Sequence, residues 1–329
     1  MPSTETLAWA GFGAIVLTLL VLDLGVFHRR AHTIEVREAV RWVGFWVSLA
    51  IAFNVAVLVW RGPEKGLEFL TGYLIEYSLS VDNIFVFLVI FSYFAVPGIY
   101  QHRLLFWGIL GAIVMRGLFI AAGITLIERF HFLIYIFGAF LVFTGIRLAL
   151  ERGRRIEPER NPVLRLVRRF VPVTEDYVEG RFFVRQGARL VATPMFIVLI
   201  VVESTDVIFA VDSIPAILAI TRDPFIVYSS NVFAILGLRA LYFALAGIMP
   251  MFRFLHYGLA AILIFVGIKM LVSDLYEMPV GIALGAVGTI LAVSVILSIL
   301  RPEPDPAVHL GAQAGTDPEP QPGTPNPDH

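Results

Sequence analysis

Glu76-Tyr-Ser-Leu-Ser-Val-Asp82-Asn83 and Glu203-Ser-Thr-Asp206-Val-Ile-Phe-Ala-Val-Asp212 place five carboxylates inside long apolar runs. An acid at the centre of a membrane helix costs roughly 2.5–3.5 kcal/mol. Five of them facing lipid would cost on the order of 12–17 kcal/mol, as much as a whole domain's stability. They must therefore face inward and have partners, and the natural partner of clustered acids is a cation. Around them stand Ser80, Asn83, Ser204, Thr205 and Ser213. Carboxylates, hydroxyls, an amide and backbone carbonyls are hard oxygen donors that suit Mg²⁺, Ca²⁺ or Mn²⁺ and disfavour Cu(I). Cysteine is absent, which removes thiolate metal sites, disulfides and cysteine nucleophiles together. The histidines all fall near expected interfaces or in soluble segments. The competing use of the acids is structural, as ion pairs with Arg116, Arg147, Arg239 and Lys269, which could also snorkel from helix ends. Asp23 sits near the end of the first apolar run and is expected to be interfacial.

The elements that must carry these residues are membrane helices. The chain has 329 residues, 58% hydrophobic and only 16% charged, whereas a soluble domain is nearer a quarter charged. Formal net charge is −1, so no global field points to nucleic acid. The fold class is all-α, a polytopic membrane protein of about nine spans at 6–27, 42–60, 69–92, 103–126, 132–150, 191–217, 225–247, 255–272 and 280–299. They form a single transmembrane domain over 1–300. The first run has Glu5, no basic segment ahead of it, and Arg29-Arg30 after it, so it reads as a membrane helix, not a cleaved signal. The 28–41 loop carries Arg29, Arg30, Arg37 and Arg41, and the 151–190 loop carries ten arginines against six acids. The positive-inside rule then predicts an outer N-terminus and a cytoplasmic C-terminus. The basic loop could rest on anionic lipid headgroups through a short amphipathic helix near Leu164–Phe170, but its topological role suffices. The tail 301–329 holds eight of the 19 prolines and is expected to be disordered.

The chain also repeats itself. Asp82 matches Asp206 at an offset of 124, Arg116 matches Arg239 at 123, His131 matches His256 at 125 and Gly145 matches Gly267 at 122. Units 69–150 and 191–272 hold three spans each. Three is odd, so the second unit must enter the membrane in the opposite sense, an inverted repeat with its site expected near the midplane. Helices 1–60 and 280–299 would be peripheral. On a continuous helix Glu203 and Asp206 share a face, as do Glu76, Ser80 and Asn83. Asp212 lies nearly opposite Glu203. Only a break could aim all five acids at one point. Ser213-Ile-Pro215 predicts unwinding near Asp212–Pro215, with irregularity near Ser78–Asn83.

At these motifs the chain resembles the TerC family of integral membrane proteins, named for tellurite resistance. The likeness covers about residues 1–300. Its motifs are Glu76 to Asn83, Glu203 through Asp212-Ser-Ile-Pro215, Leu22-Asp23-Leu24 with Phe27-His28-Arg29, and Arg185-Gln186-Gly187 with Ala192-Thr193-Pro194. The resemblance implies manganese export across the plasma (inner) membrane of a prokaryote. It also implies that Glu76, Asp82, Glu203, Asp206 and Asp212 bind the ion, and the residue types beside them add Asn83 to the metal site, with Ser80, Thr205, Ser213, Arg116 and Arg239 as possible support. Mn²⁺ is then the transported ion, and the partners are a divalent cation and membrane lipid, not nucleic acid. A tellurite dianion would be repelled by clustered carboxylates, which makes that resistance indirect. Asp82→Asn or Asp206→Asn is expected to leave the fold intact and abolish export. The alternative is a non-transporting scaffold for metal delivery or stress response. An intramembrane enzyme is disfavoured, since no Gly-x-Ser-x-Gly or His-Glu-x-x-His motif is present.

Overall fold

The computed structural model describes residues 4–25, 36–150, 172–174, 176–186, 189–246, 254–276 and 278–300. Its helices are α1 (Thr4–Gly25), α2 (Val36–Arg61), α3 (Pro63–Tyr93), α4 (Gly98–Arg129), α5 (Leu133–Leu150), α6 (Pro194–Leu218), α7 (Pro224–Leu236), α8 (Leu238–Ala246), α9 (Leu255–Leu271) and α10 (Val280–Leu300). Strands β1 (Phe183–Gln186) and β2 (Arg189–Ala192) pair antiparallel just ahead of α6. Among the described residues, eight helical segments are long and apolar enough to cross a membrane, with α7 and α8 counted as one, and α9 is a shorter ninth. The fold is thus a polytopic all-α membrane bundle, as the long apolar runs predict. The helix near Leu164–Phe170, the proline-rich tail and the side chains of Asp23 and Asp82 lie outside the described residues.

Helix ends are set by local chemistry. Gly62, at φ 93°, turns the chain between α2 and α3, and Pro63 opens the next helix. The Asp223 carboxylate accepts from the Phe225 and Ile226 amides and caps α7. Helix α6 begins at Pro194, not at the expected 191. Thr193 precedes a proline and is extended, at φ −105° and ψ 167°, so Val191 and Ala192 are drawn into β2 instead.

The two expected irregularities are corrected. Helix α6 runs unbroken from Pro194 to Leu218 with Pro215 inside it, and α3 runs unbroken through Ser78–Asn83. One missing ladder bond at a proline is cheaper than several unpaired carbonyls in an apolar slab. The Ser78 hydroxyl likewise donates to Leu74 O at 2.5 Å, within its own helix. The interruption falls elsewhere, at Gly237 between α7 and α8.

Burial separates a core from a rim. The apolar window is 75% buried in α3 and 94% in α7–α8, against 17% in α1, α2 and α10. Helix α3 packs on α6 and α7, α4 packs on α6, and α5 packs along α9. The last contact is reciprocal. A β-carbon on Gly138 would come 3.0 Å from Gly267 O, and one on Gly145 would come 2.8 Å from Ala260 O. Gly138 precedes Ala260 by the same 122 residues that separate Gly145 from Gly267. Each helix therefore offers the other the same surface, as two-fold related elements do. Lipid gives no hydrophobic drive between helices, so this backbone approach carries the packing. Gly267→Ala would put a methyl 2.7 Å from Gly138 O. It is expected to lower stability in detergent by about 1–3 kcal/mol. An unchanged thermal midpoint would show that α5 and α9 separate freely.

Candidate cation site

Helices α3, α4, α6 and α7 each contribute to one buried polar cluster. Glu76 (α3), Arg116 (α4), Asp206 and Ser213 (α6) and Asn231 (α7) are all at most 5% exposed. Arg116 Nη1 donates to Glu76 Oε1 in a close ion pair and to Ser213 Oγ at 3.0 Å. The same nitrogen lies 3.4 Å from Asn231 Oδ1. Asn231 Nδ2 donates to Glu76 Oε2 at 2.9 Å. Arg116 Nη2 stands 3.6 Å from Asp206 Oδ1, a looser contact. Asp206 Oδ2 and Arg116 Nε are buried and have no hydrogen-bond partner among the described residues. Such orphaned atoms are rare at this depth and mark a network that is incomplete as it stands.

Glu203 is one turn before Asp206 on the same face of α6. Its carboxylate lies against Gly111 of α4, where a β-carbon would collide with it. Glycine at 111 is what lets the acid reach the α4 surface. Asp212 faces the other way. With Asn83, Ser213, Leu79, Thr144 and Leu263 it lines a small, partly open cavity of about 30 Å³, room for a water-sized guest. Ser213 therefore borders both places.

The predicted residues fall into three groups because α6 stays helical throughout. Glu76 and Asp206 meet through Arg116, Glu203 sits a turn away, and Asp212 and Asn83 line the small cavity. Among the described residues no three acidic or histidine side chains converge into a metal-binding group. Ser80 is buried on the Glu76 face. Thr205 donates to Val201 O of its own helix at 2.7 Å. Arg239 stands 3.4 Å from His102 Nδ1, on the α8–α4 contact. Arg116 is thus central where support alone is expected. Asn231 is the residue that sequence reasoning misses. Its only signal is Ser229-Ser230-Asn231 interrupting an apolar run, and all three are fully buried.

At one end of the bundle a larger polar cavity of about 680 Å³ is lined by Lys65, Glu68, Thr221, Asp223, Lys269 and Asp274, among others. Glu68 Oε2 accepts from Lys65 Nζ at 2.7 Å and from Thr221 Oγ1 at 2.6 Å. Lys269 Nζ donates to Ala219 O at 2.9 Å.

Residues 61–304 match the family described as integral membrane protein TerC. A Myxococcus xanthus protein named "Uncharacterized membrane protein STKORF319" is 50% identical, over 89% of this chain and 92% of its own length. An Escherichia coli K12 protein named "Putative membrane-bound redox modulator Alx" is 48% identical, over 89% of this chain and 94% of its own length. A Rickettsia bellii membrane protein is 39% identical over 90% of this chain and 98% of its own length. No solved structure matches the chain.

Proposed function

The chain belongs to the TerC family of integral membrane proteins, and from that premise we propose that it is a secondary transporter exporting divalent cations, Mn²⁺ foremost, across the plasma membrane. The observation that carries this reading is the pair on α6. Asp206 keeps a buried oxygen without a partner among the described residues, and the Glu203 carboxylate stands one turn earlier on the same face, against Gly111. Carboxylates left under-partnered inside a bundle are what a site for a hard cation requires. Binding needs them deprotonated, so protons could return as metal leaves. The preference for Mn²⁺ over Ca²⁺ or Mg²⁺ rests on the family resemblance.

The reciprocal α5–α9 contact supports inverted repeats that rock about the acids, the usual plan for alternating access. With the basic loops cytoplasmic, the 680 Å³ cavity opens outward and serves as the release vestibule. The buried Arg116–Glu76 pair favours the rival reading, a non-transporting scaffold whose acids are structural. The relatives' redox description meets no thiol here, since the chain has no cysteine.

Purified protein in liposomes separates these readings. An exporter moves Mn²⁺ by itself down an imposed gradient, and a scaffold moves none. A finer check lies at Gly111. Gly111→Ala is expected to displace the Glu203 carboxylate and raise the apparent KM for Mn²⁺ at least about ten-fold, or ~1.4 kcal/mol. An unchanged KM would remove Glu203 from the ion path.

A further inference from the structure

Arg116 holds the acids that the cargo would need. Resting on the transport reading above, we propose that Arg116 is a tethered counter-cation, which occupies the Glu76–Asp206 site in the unloaded carrier and is displaced when a divalent cation binds. The geometry carries three parts of this. Arg116 is 1% exposed and is the cation nearest both acids, donating directly to Glu76 and standing 3.6 Å from Asp206. The site is only half closed around it, because Arg116 Nε and Asp206 Oδ2 are both without partners among the described residues. Its other contacts, to Ser213 Oγ at 3.0 Å and Asn231 Oδ1 at 3.4 Å, are neutral and exchangeable.

A dication coordinated by Glu76 or Asp206 would lie within a few ångströms of the guanidinium. In a low-dielectric interior two such charges repel strongly, so metal and guanidinium are alternative occupants. That exclusion has a use. An emptied carrier must return across the membrane, and bare carboxylates resist the passage. A side chain already attached to α4 can neutralise them at that step, without an ion from either bath. Loading then exchanges an internal cation for the cargo, and unloading reverses the exchange.

The test compares two fluxes of Mn²⁺ in proteoliposomes. Net efflux requires the empty carrier to return, and exchange of radioactive Mn²⁺ for unlabelled Mn²⁺ does not. For Arg116→Gln the ratio of net efflux to exchange is expected to fall at least ten-fold relative to the unsubstituted protein. Arg116→Lys keeps a cation at this place and is expected to restore most of that ratio. A merely structural arginine would lower both fluxes together and leave the ratio unchanged, and that result overturns the proposal. If Arg116→Gln does not fold, Arg116→Met takes its place as the uncharged variant: a ratio at least ten-fold below that of the unsubstituted protein supports the tether, and an unchanged ratio overturns it. An unsubstituted protein that moves no Mn²⁺ in either assay would remove the transport reading and this inference with it. Normal transport by the unsubstituted protein with an unchanged ratio in the uncharged variant would remove the inference alone.

Discussion

Glu76→Gln is expected to destabilise the folded protein by about 3–5 kcal/mol, the usual consequence of removing one member of a buried ion pair. Glu76 and Arg116 are each 1% exposed, so solvent cannot take over from the lost partner. Gln at 76 keeps the volume and can still meet Asn231, so the loss isolates the charge. What remains around the guanidinium is Ser213, Asn231 and the looser Asp206. The double variant Glu76→Gln/Arg116→Gln removes both charges, and it is expected to recover at least about 2 kcal/mol relative to the sum of the single changes. Unfolding in mixed detergent, by tryptophan fluorescence, gives all four corners of the cycle. A single variant within about 1 kcal/mol of the unsubstituted protein, or a double variant no better than the sum of the singles, would mean that the pair is not coupled.

Asp206→Asn should do the opposite, sparing stability and removing transport. Asp206 touches Arg116 only at 3.6 Å and leaves one oxygen without a partner, so little native bonding is lost. The expected stability change is about 1 kcal/mol or less. An amide, however, cannot neutralise a dication or replace its water on charged terms. A lost carboxylate ligand should lower Mn²⁺ efflux at least ~100-fold, equivalent to about 2.7 kcal/mol. The two variants therefore separate two duties. Glu76 chiefly anchors the arginine, and Asp206 chiefly receives the cargo. Efflux within about three-fold of normal in a well-folded Asp206→Asn protein would remove Asp206 from the ion path.

The same site shows why the acids are readable in sequence and their arrangement is not. The expectation of one five-acid cluster required α6 to unwind near Pro215. The helix remains continuous instead, so its 100° step per residue leaves Asp212 facing Asn83 and Thr144 while Asp206 faces Arg116. Asn231 shows the limit from the other side. An asparagine in an apolar run is an ordinary sight until a neighbouring helix sets Glu76 2.9 Å from its amide. Gly111 carries no chemistry of its own, and only the Glu203 carboxylate lying against it explains the missing β-carbon.

Sequence by itself determined the number and approximate limits of the membrane helices, because crossing an apolar slab demands a length and polarity that leave a local imprint. It also determined that Glu76, Glu203, Asp206 and Asp212 must turn inward, because the penalty for facing lipid belongs to the residue type. Tertiary structure alone decided which acid meets Arg116, which meets a glycine surface and which meets a small cavity. Those choices depend on how α3, α4, α6 and α7 are rotated against one another. That rotation is fixed by contacts between residues as far apart in the chain as Phe69 and Phe233 or Glu76 and Asn231, and no local window of the chain contains them.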